Sequence, residues 1–456
     1  MTAGTGRCMV DGGEMRRVGV SAAGARTAWP CSLLVAVLLG YLCIGRSFAH
    51  LGAPPLYMGE IVLVVFMALC PLAVFRPTVD GLIRRSPLSG VMWCLYWFAA
   101  CGAVQCIRGL GLGHHAISTL QNTVFQAYAF FIFAGLWLGG QCGDRTKSLV
   151  WLFAACHGAY GLVYILVLSP LGLATEDASG PIPWFGQPNH AAAMLIALLA
   201  VEARLRRLWF PIAANSFVLL AMQIRAEWLG LVVGLALWGG MTGKVRQLAL
   251  STFGAGLLFL VWCATDVTVP VPESRGGGEM GGRELIGRVV ASVDPDTAAS
   301  FTKRADTEHG TVSWRTEWWK AILRMVHRDP ATALFGPGYG YPIWNLHPEG
   351  LDETIRTPHN AFVYALGYTG WVGLAFFVVF QGSLGAALWK VYRQTGQTVG
   401  FCFWAVCLTR ATFDNFFEAP HFAIPYFVII GLFLSPLLTP PEEGRLPHPS
   451  TGPGAP

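Results

Sequence analysis

The chain is 456 residues long, 54% hydrophobic and only 12% charged, with a mean hydropathy of +0.50. That composition excludes an ordinary soluble enzyme and points to a polytopic membrane protein. The formal net charge of +5 is small for this length, and the basic residues are spread over short connections instead of forming a patch interleaved with aromatics, so no nucleic-acid partner is expected.

Taken in order, the chain opens with a segment, residues 1–29, that carries Arg7, Arg16, Arg17 and Arg26 ahead of an apolar run. The run is long enough to cross a bilayer and no convincing small-residue cleavage site follows, so it reads as a retained first helix and not as a signal peptide. Apolar runs of span length follow near residues 30–47, 57–75, 87–106, 121–140, 148–168, 189–204, 207–223, 226–241 and 247–268, and again near 369–389, 398–415 and 420–438. The sequence therefore predicts an all-α membrane protein with about twelve transmembrane helices, nine within residues 30–268 and three within 359–438. The tail, residues 439–456, is rich in Pro and Gly and is expected to be disordered.

Orientation follows from Lys and Arg in the alternating short connections. One side holds the N-terminal arginines together with Arg76, Arg84, Arg85, Arg145, Lys147, Arg204, Arg206, Arg207, Lys244, Arg246, Lys390, Arg393 and Arg445. The other side holds only Arg46, Arg108, Arg225 and Arg410. Both termini are thus expected to be cytoplasmic, and the long segment 269–358 faces outward.

That segment is too long for a passive connector. Its first part, SRGGGEMGGRELIGRVVASVDPD, is glycine-rich with a short amphipathic stretch from Glu284 to Val293. Its second part predicts an amphipathic helix near 313–328, followed by the glycine-rich turn GPGYG at Gly336 to Gly340 and then by TPHN. On a helical wheel Arg315 shares the apolar face with Trp318, Trp319, Ile322 and Val326, whereas Glu317, Lys320, Arg324 and Arg328 form an ordinary solvated face. A guanidinium on an apolar face is costly without an anionic partner, so Arg315 should meet an acidic side chain or a phosphate. The tryptophans Trp314, Trp318 and Trp319 read either as interfacial anchors or as sugar-stacking surfaces.

The expected topology gathers other polar groups at the same outward ends: Asn189 and His190 in FGQPNH, Arg225 and Glu227 in IRAEWLG, Arg356 and His359 in IRTPHN, and Arg410. Ionisable residues in such places are functional candidates, with interface snorkelling as the plainer account. Asn189 could equally cap the helix that follows it. The twelve cysteines all lie outside Pro270 to Pro358, mostly in apolar runs, which argues for small buried apolar groups and against a disulfide framework in the loop. Asp294 and Asp296 spell D-x-D, but no alternating strand and helix pattern surrounds them, and His114 and His115 are adjacent where two ligands on one helical face would need a spacing of four. No metal and no cofactor is expected.

Several of these features together resemble the O-antigen ligase and polymerase superfamily. They are QPN at Gln187 to Asn189, Arg225 at the outer end of a mid-chain span, R-x-x-x-W from Arg315 to Trp319, GPGYG, the His359-Asn360 pair, and the G-x-x-G-L run that begins at Gly370. The likeness covers the chain from about Phe185 onward, and it departs from the family where Ile224 and Ala226 flank Arg225 in place of Ser and Gly. It implies a membrane-integral, inverting, metal-independent glycosyltransferase of GT-C type in a bacterial cytoplasmic membrane, with its site facing the periplasm or cell exterior. The donor would be a polyprenyl-diphosphate-linked glycan, and the acceptor a glycan, lipid or protein hydroxyl, as in lipopolysaccharide ligation or surface and exopolysaccharide polymerisation. On that resemblance Arg225 and Arg315 would stabilise the departing diphosphate and His359 would act as base. Arg356, Asn189, Asn360, Glu227 and Trp319 would contact substrate, with Glu227 a rival base. The alternative from a different class is a secondary transporter, disfavoured by the lack of repeated broken helices and mid-span charge pairs.

Overall fold

The structure is a computed structural model that describes residues 22–53, 56–84, 86–173, 184–201, 209–265, 267–272, 279–291, 294–298, 300–301, 305–347 and 357–438. The expected N-terminal arginine cluster, apart from Arg26, and the Pro-rich tail lie outside the described residues, as does Arg356.

Almost everything described is helix, as a chain of apolar runs requires, because in lipid a helix satisfies its own backbone donors and acceptors. In chain order the helices before the long connection are α1 (Ala22–Cys43), α2 (Met58–Leu69), α3 (Pro71–Leu82), α4 (Ser89–Gly111), α5 (Ala116–Ala127) and α6 (Phe131–Cys142). They continue with α7 (Thr146–Val163), α8 (Ala191–Ala200), α9 (Trp209–Met222), α10 (Arg225–Thr242) and α11 (Val245–Ala264). The long connection holds α12 (Gly282–Val290), α13 (Ala305–Val326) and α14 (Pro330–Phe335), and the C-terminal part α15 (Ala361–Thr395), α16 (Val399–Ala411) and α17 (Pro420–Leu434). The described strands form two small antiparallel hairpins, Gly52–Ala53 with Leu56–Tyr57 and Thr268–Pro270 with Glu279–Gly281.

Helix occupies each apolar stretch picked out above, but the stretches are not equivalent. Among the described residues six helical runs are long and apolar enough to cross a membrane, and a seventh is the pair α2 and α3, bent by 78° where Pro71 interrupts the hydrogen-bond ladder. Four others, Trp29–Cys43, α8, α9 and α16, are apolar but shorter. The ten residues of α8 reach only about 15 Å against a hydrocarbon thickness of about 30 Å. A rule based on run length treats every apolar stretch as lipid-facing. α8 is instead enclosed by protein, with every residue from Ala191 to Leu198 buried.

α17 is the axis of the fold, and all its residues from His421 to Leu434 are buried. It crosses α6 at backbone contact: a Cβ at Gly135 would lie 2.0 Å from the Val428 carbonyl oxygen, and one at Gly431 would lie 2.2 Å from that of Ile132. Gly135 and Gly139 form a G-x-x-x-G pair, the small-residue spacing that lets membrane helices approach this closely.

A second close approach seats the long connection. At Gly370, φ 64° and ψ −168° break α15 into two helices, and a Cβ there would meet the Leu334 backbone at 2.5 Å. The GPGYG turn enters this break. Gly338 N–H donates to the Tyr368 carbonyl at 3.1 Å, Tyr339 Oη donates to Gln126 at 2.6 Å, and Gly340 N–H donates to Asn122 at 2.9 Å. His114 hydrogen-bonds the Tyr339 carbonyl at 2.9 Å. The glycine-rich turn thus locks α13 and α14 onto α4, α5 and α15, which sets where the polar groups of the loop can reach.

Candidate active site at the loop-bearing end

The site is organised by a buried arginine on the last turn of α16. Arg410 is 4% exposed. Its Nη1 donates to Glu227 on the first turn of α10 and to the carbonyl of Asn189 before α8. Its Nη2 lies 3.0 Å from Asp414, which also accepts from Nε at 3.3 Å, and its guanidinium sits 4.1 Å from the Phe422 ring centre. The remaining Glu227 oxygen accepts from Ala192 N–H at 3.1 Å, at the start of α8 where unpaired helix donors favour a carboxylate. One guanidinium fork therefore joins four chain segments. The cavity beside it, lined by His190, Glu227, Arg410 and Phe416, has room for little more than a water molecule. Arg410 is a scaffold cation whose donors are already engaged by protein.

The second oxygen of Asp414 faces His359, with Oδ1 3.7 Å from Nδ1. Burial works to raise the pKa of Asp414, but His359 and the Arg410 guanidinium outweigh it and hold the carboxyl well below the usual carboxylate range. The two Asp414 oxygens are thus divided between the Arg410 guanidinium and the His359 imidazole. His359 itself is half-buried and takes φ 50°, the left-handed region that non-glycine residues seldom adopt. It is held there from both sides. Trp319 Nε1 donates to the Pro358 carbonyl at 2.7 Å, and Asn360 caps α15 by accepting from the N–H groups of Phe362 and Val363 at 2.9 and 3.0 Å.

α13 lies alongside. Arg315 Nη1 donates to the Phe413 carbonyl at 3.0 Å, the residue next to Asp414, and the Trp314 ring centre lies 6.3 Å from that of His359. Trp318 is fully buried and donates to the Ile343 carbonyl at 2.9 Å. Arg225 begins α10, half-buried and two residues before Glu227. One chain of contacts therefore connects the turns that carry Arg225, Arg315 and His359: Glu227 to Arg410, Arg410 to Asp414, and Asp414 to both His359 and the Arg315 acceptor.

Residues 190–378 match the family model described as O-antigen ligase. The chain carries an O-antigen ligase domain. The match covers less than half of the chain; for that part it supports the O-antigen ligase and polymerase superfamily and, at a coarse level, O-antigen ligase-like glycan transfer by a membrane protein. No curated protein matches the chain. The O-antigen ligase domain takes in Arg225, Glu227, Arg315, His359 and Asn360, whereas Arg410 and Asp414 lie beyond its end and complete the site from outside it.

Several of the candidates have structural duties in this arrangement. Glu227 is 3% exposed and serves as the counter-ion of Arg410, which removes it from the role of rival base. Asn360 uses its carboxamide oxygen as a helix cap, and Trp319 positions the segment before the histidine. Asn189 contributes a backbone carbonyl to Arg410, while its side-chain oxygen is buried at the same turn. Sequence reasoning noted Arg410 only as one polar group among several, and it missed Asp414, Glu418, Gln223 and Arg288. The available signal was local: RATFDNFFE, between two apolar runs, sets Asp414 one helical turn after Arg410 and Glu418 one turn further on.

Proposed function

We propose that this site transfers a glycan from a polyprenyl-diphosphate carrier to an acceptor hydroxyl with inversion at the anomeric carbon. The observation that carries the reading is the meeting of His359, Asp414 and the Arg315 helix on the single turn between α16 and α17. In the proposed step His359 accepts the proton of the acceptor hydroxyl as its oxygen attacks the anomeric carbon. The bond from that carbon to the diphosphate breaks, and the electron pair leaves on the lipid diphosphate. Asp414 orients the imidazole and balances the positive charge it gains. Arg315 and Arg225, with Arg356 third, stabilise the negative charge growing on the leaving group, which guanidinium forks do without a metal.

Inverting transfer would need the base, carried by α15, to reach one face of the sugar while the cations, carried by α10 and α13, hold the diphosphate on the other. The long connection that carries α13 would lie outside the cytoplasmic membrane, where lipid-linked glycans are displayed, and the twelve helical stretches would form the membrane body with both termini cytoplasmic. The test is incubation of the purified protein in lipid with a polyprenyl-diphosphate glycan and candidate acceptors in the presence of a chelator. A product grown by whole glycan units on the same carrier identifies a polymerase, and a glycan moved to a new carrier identifies a ligase. Survival of both carrier and glycan unchanged with every acceptor tried would dismiss the reading.

A further inference from the structure

The two arginines assigned to the diphosphate come from different parts of the chain, Arg225 from the turn between α9 and α10 and Arg315 from the long connection. For both to grip one diphosphate their separation must be fixed, because a guanidinium set too far away loses its hydrogen bonds to the shared group. Something must therefore fix the connection against that turn.

α12 touches both. Its Arg288 is 4% exposed, and its guanidinium donates from Nη1 to the Gln223 side-chain oxygen and from Nη2 to Glu284 at 3.3 Å. Gln223 lies two residues before Arg225 and takes φ 56°, a left-handed backbone that local structure alone would not choose. α12 is also fastened to the end of α11, where Arg283 Nε donates to the Cys263 carbonyl at 3.2 Å, and it packs against α13, the helix of Arg315. An arginine on a short amphipathic helix ordinarily points to water. One turned inward and buried among polar partners instead marks a specified contact, since burial of a guanidinium is costly unless it is paired.

We infer that α12 is a brace setting the distance between Arg225 and Arg315, with Arg288 its fastening point on Gln223, and that Arg288 is a positioning residue for the donor diphosphate. This rests on the reading of Arg225 and Arg315 given above. A brace acts through ground-state grip on the diphosphate, so its loss weakens donor binding before it slows the chemical step. A residue that merely kept the protein folded would lower the active fraction at unchanged affinity.

The experiment uses the full chain in lipid nanodiscs, with the variants Arg288→Ala, Arg288→Lys, Gln223→Ala and the double Ala variant. It reads amide hydrogen exchange over residues 282–290 and 305–326, and steady-state transfer from a polyprenyl-diphosphate glycan. Each single Ala variant should raise the donor KM about tenfold with kcat within about twofold, the double should be no worse than either single, and Lys should recover most of the loss. Exchange should quicken in both α12 and α13 when Arg288 is removed. KM effects that multiply in the double variant, a fall in kcat at constant KM, or unchanged exchange would each overturn the inference. If the wild-type protein transfers nothing, the functional reading fails, and the exchange measurement still decides whether Arg288 fastens α12.

Discussion

Asp414 holds one carboxylate oxygen 3.7 Å from Nδ1 of His359 while its other oxygen is bound by Arg410 at 3.0 Å. The acid is thus clamped by a scaffold cation on one side and faces the imidazole on the other. Replacement by Asn keeps the shape and removes the charge that opposes an imidazolium. Asp414→Asn should lower the transfer rate about a hundredfold and leave donor KM nearly unchanged, whereas His359→Gln should reach about 10²–10⁴-fold. Steady-state kinetics on both variants checks this, and equal donor-affinity losses would place the pair in binding instead of proton transfer.

Arg410 balances two carboxylates in a buried setting. Arg410→Met leaves Glu227 and Asp414 without their shared cation and should destabilise the protein by about 3–5 kcal/mol. Adding Glu227→Gln should recover part of that loss, because it removes one of the stranded charges. Chemical denaturation in detergent micelles gives both numbers.

Glu418 lies on the same turn as Asp414, and both of its carboxyl oxygens are shielded from solvent. Burial pushes its pKa up to about 8. Its folded-state pKa is above the unfolded one, so the folded protein binds the extra proton between the ordinary carboxyl range and about 8. Stability should therefore decline as pH rises through that window. The wild-type apparent Tm should fall between about pH 5 and pH 9, and Glu418→Gln should flatten that segment of the profile. A wild-type profile that is level across it would contradict the assignment.

Asn360 caps α15 and immediately follows the strained His359. Asn360→Ala should cost about 1 kcal/mol and reduce transfer, and Asn360→Asp, which keeps the cap acceptor, should restore stability. A substrate-contact role would predict the reverse pattern, with stability unmoved and donor or acceptor affinity lost in both variants.

The sequence made part of this visible for reasons that are local. Arg315 stood out because it sits on the apolar face of its own helix, and the structure gives its guanidinium a carbonyl acceptor at Phe413. His359 stood out because it directly precedes a long apolar run. What could not be read was pairing across the fold. Glu227 looked like a substrate group or base because its cation lies 183 residues away on α16, and nothing in IRAEWLG announces the crossing that brings them together. Arg288 was hidden for the same reason, since α12 reads as an ordinary amphipathic stretch until Gln223 is placed opposite it. Span counting stops short in another way: run length finds the apolar stretches but not how far protein encloses each one, and α8 is buried from Ala191 to Leu198. At Asn360 a local rule, a capping residue ahead of an apolar run, was available and the more chemical role was preferred.

The central claim is that Arg225 and Arg315 meet one departing lipid diphosphate while His359 takes the proton of the attacking acceptor. The most direct measurement is the rate of polyprenyl diphosphate release from a lipid-linked glycan by the reconstituted wild-type protein and by the Arg225→Ala, Arg315→Ala and His359→Ala variants, with donor binding read in parallel. Release by the wild type is expected, with turnover collapsing in all three variants and donor affinity weakened in both arginine variants but kept in the histidine variant. Undiminished release by the His359→Ala and Arg315→Ala proteins would contradict it.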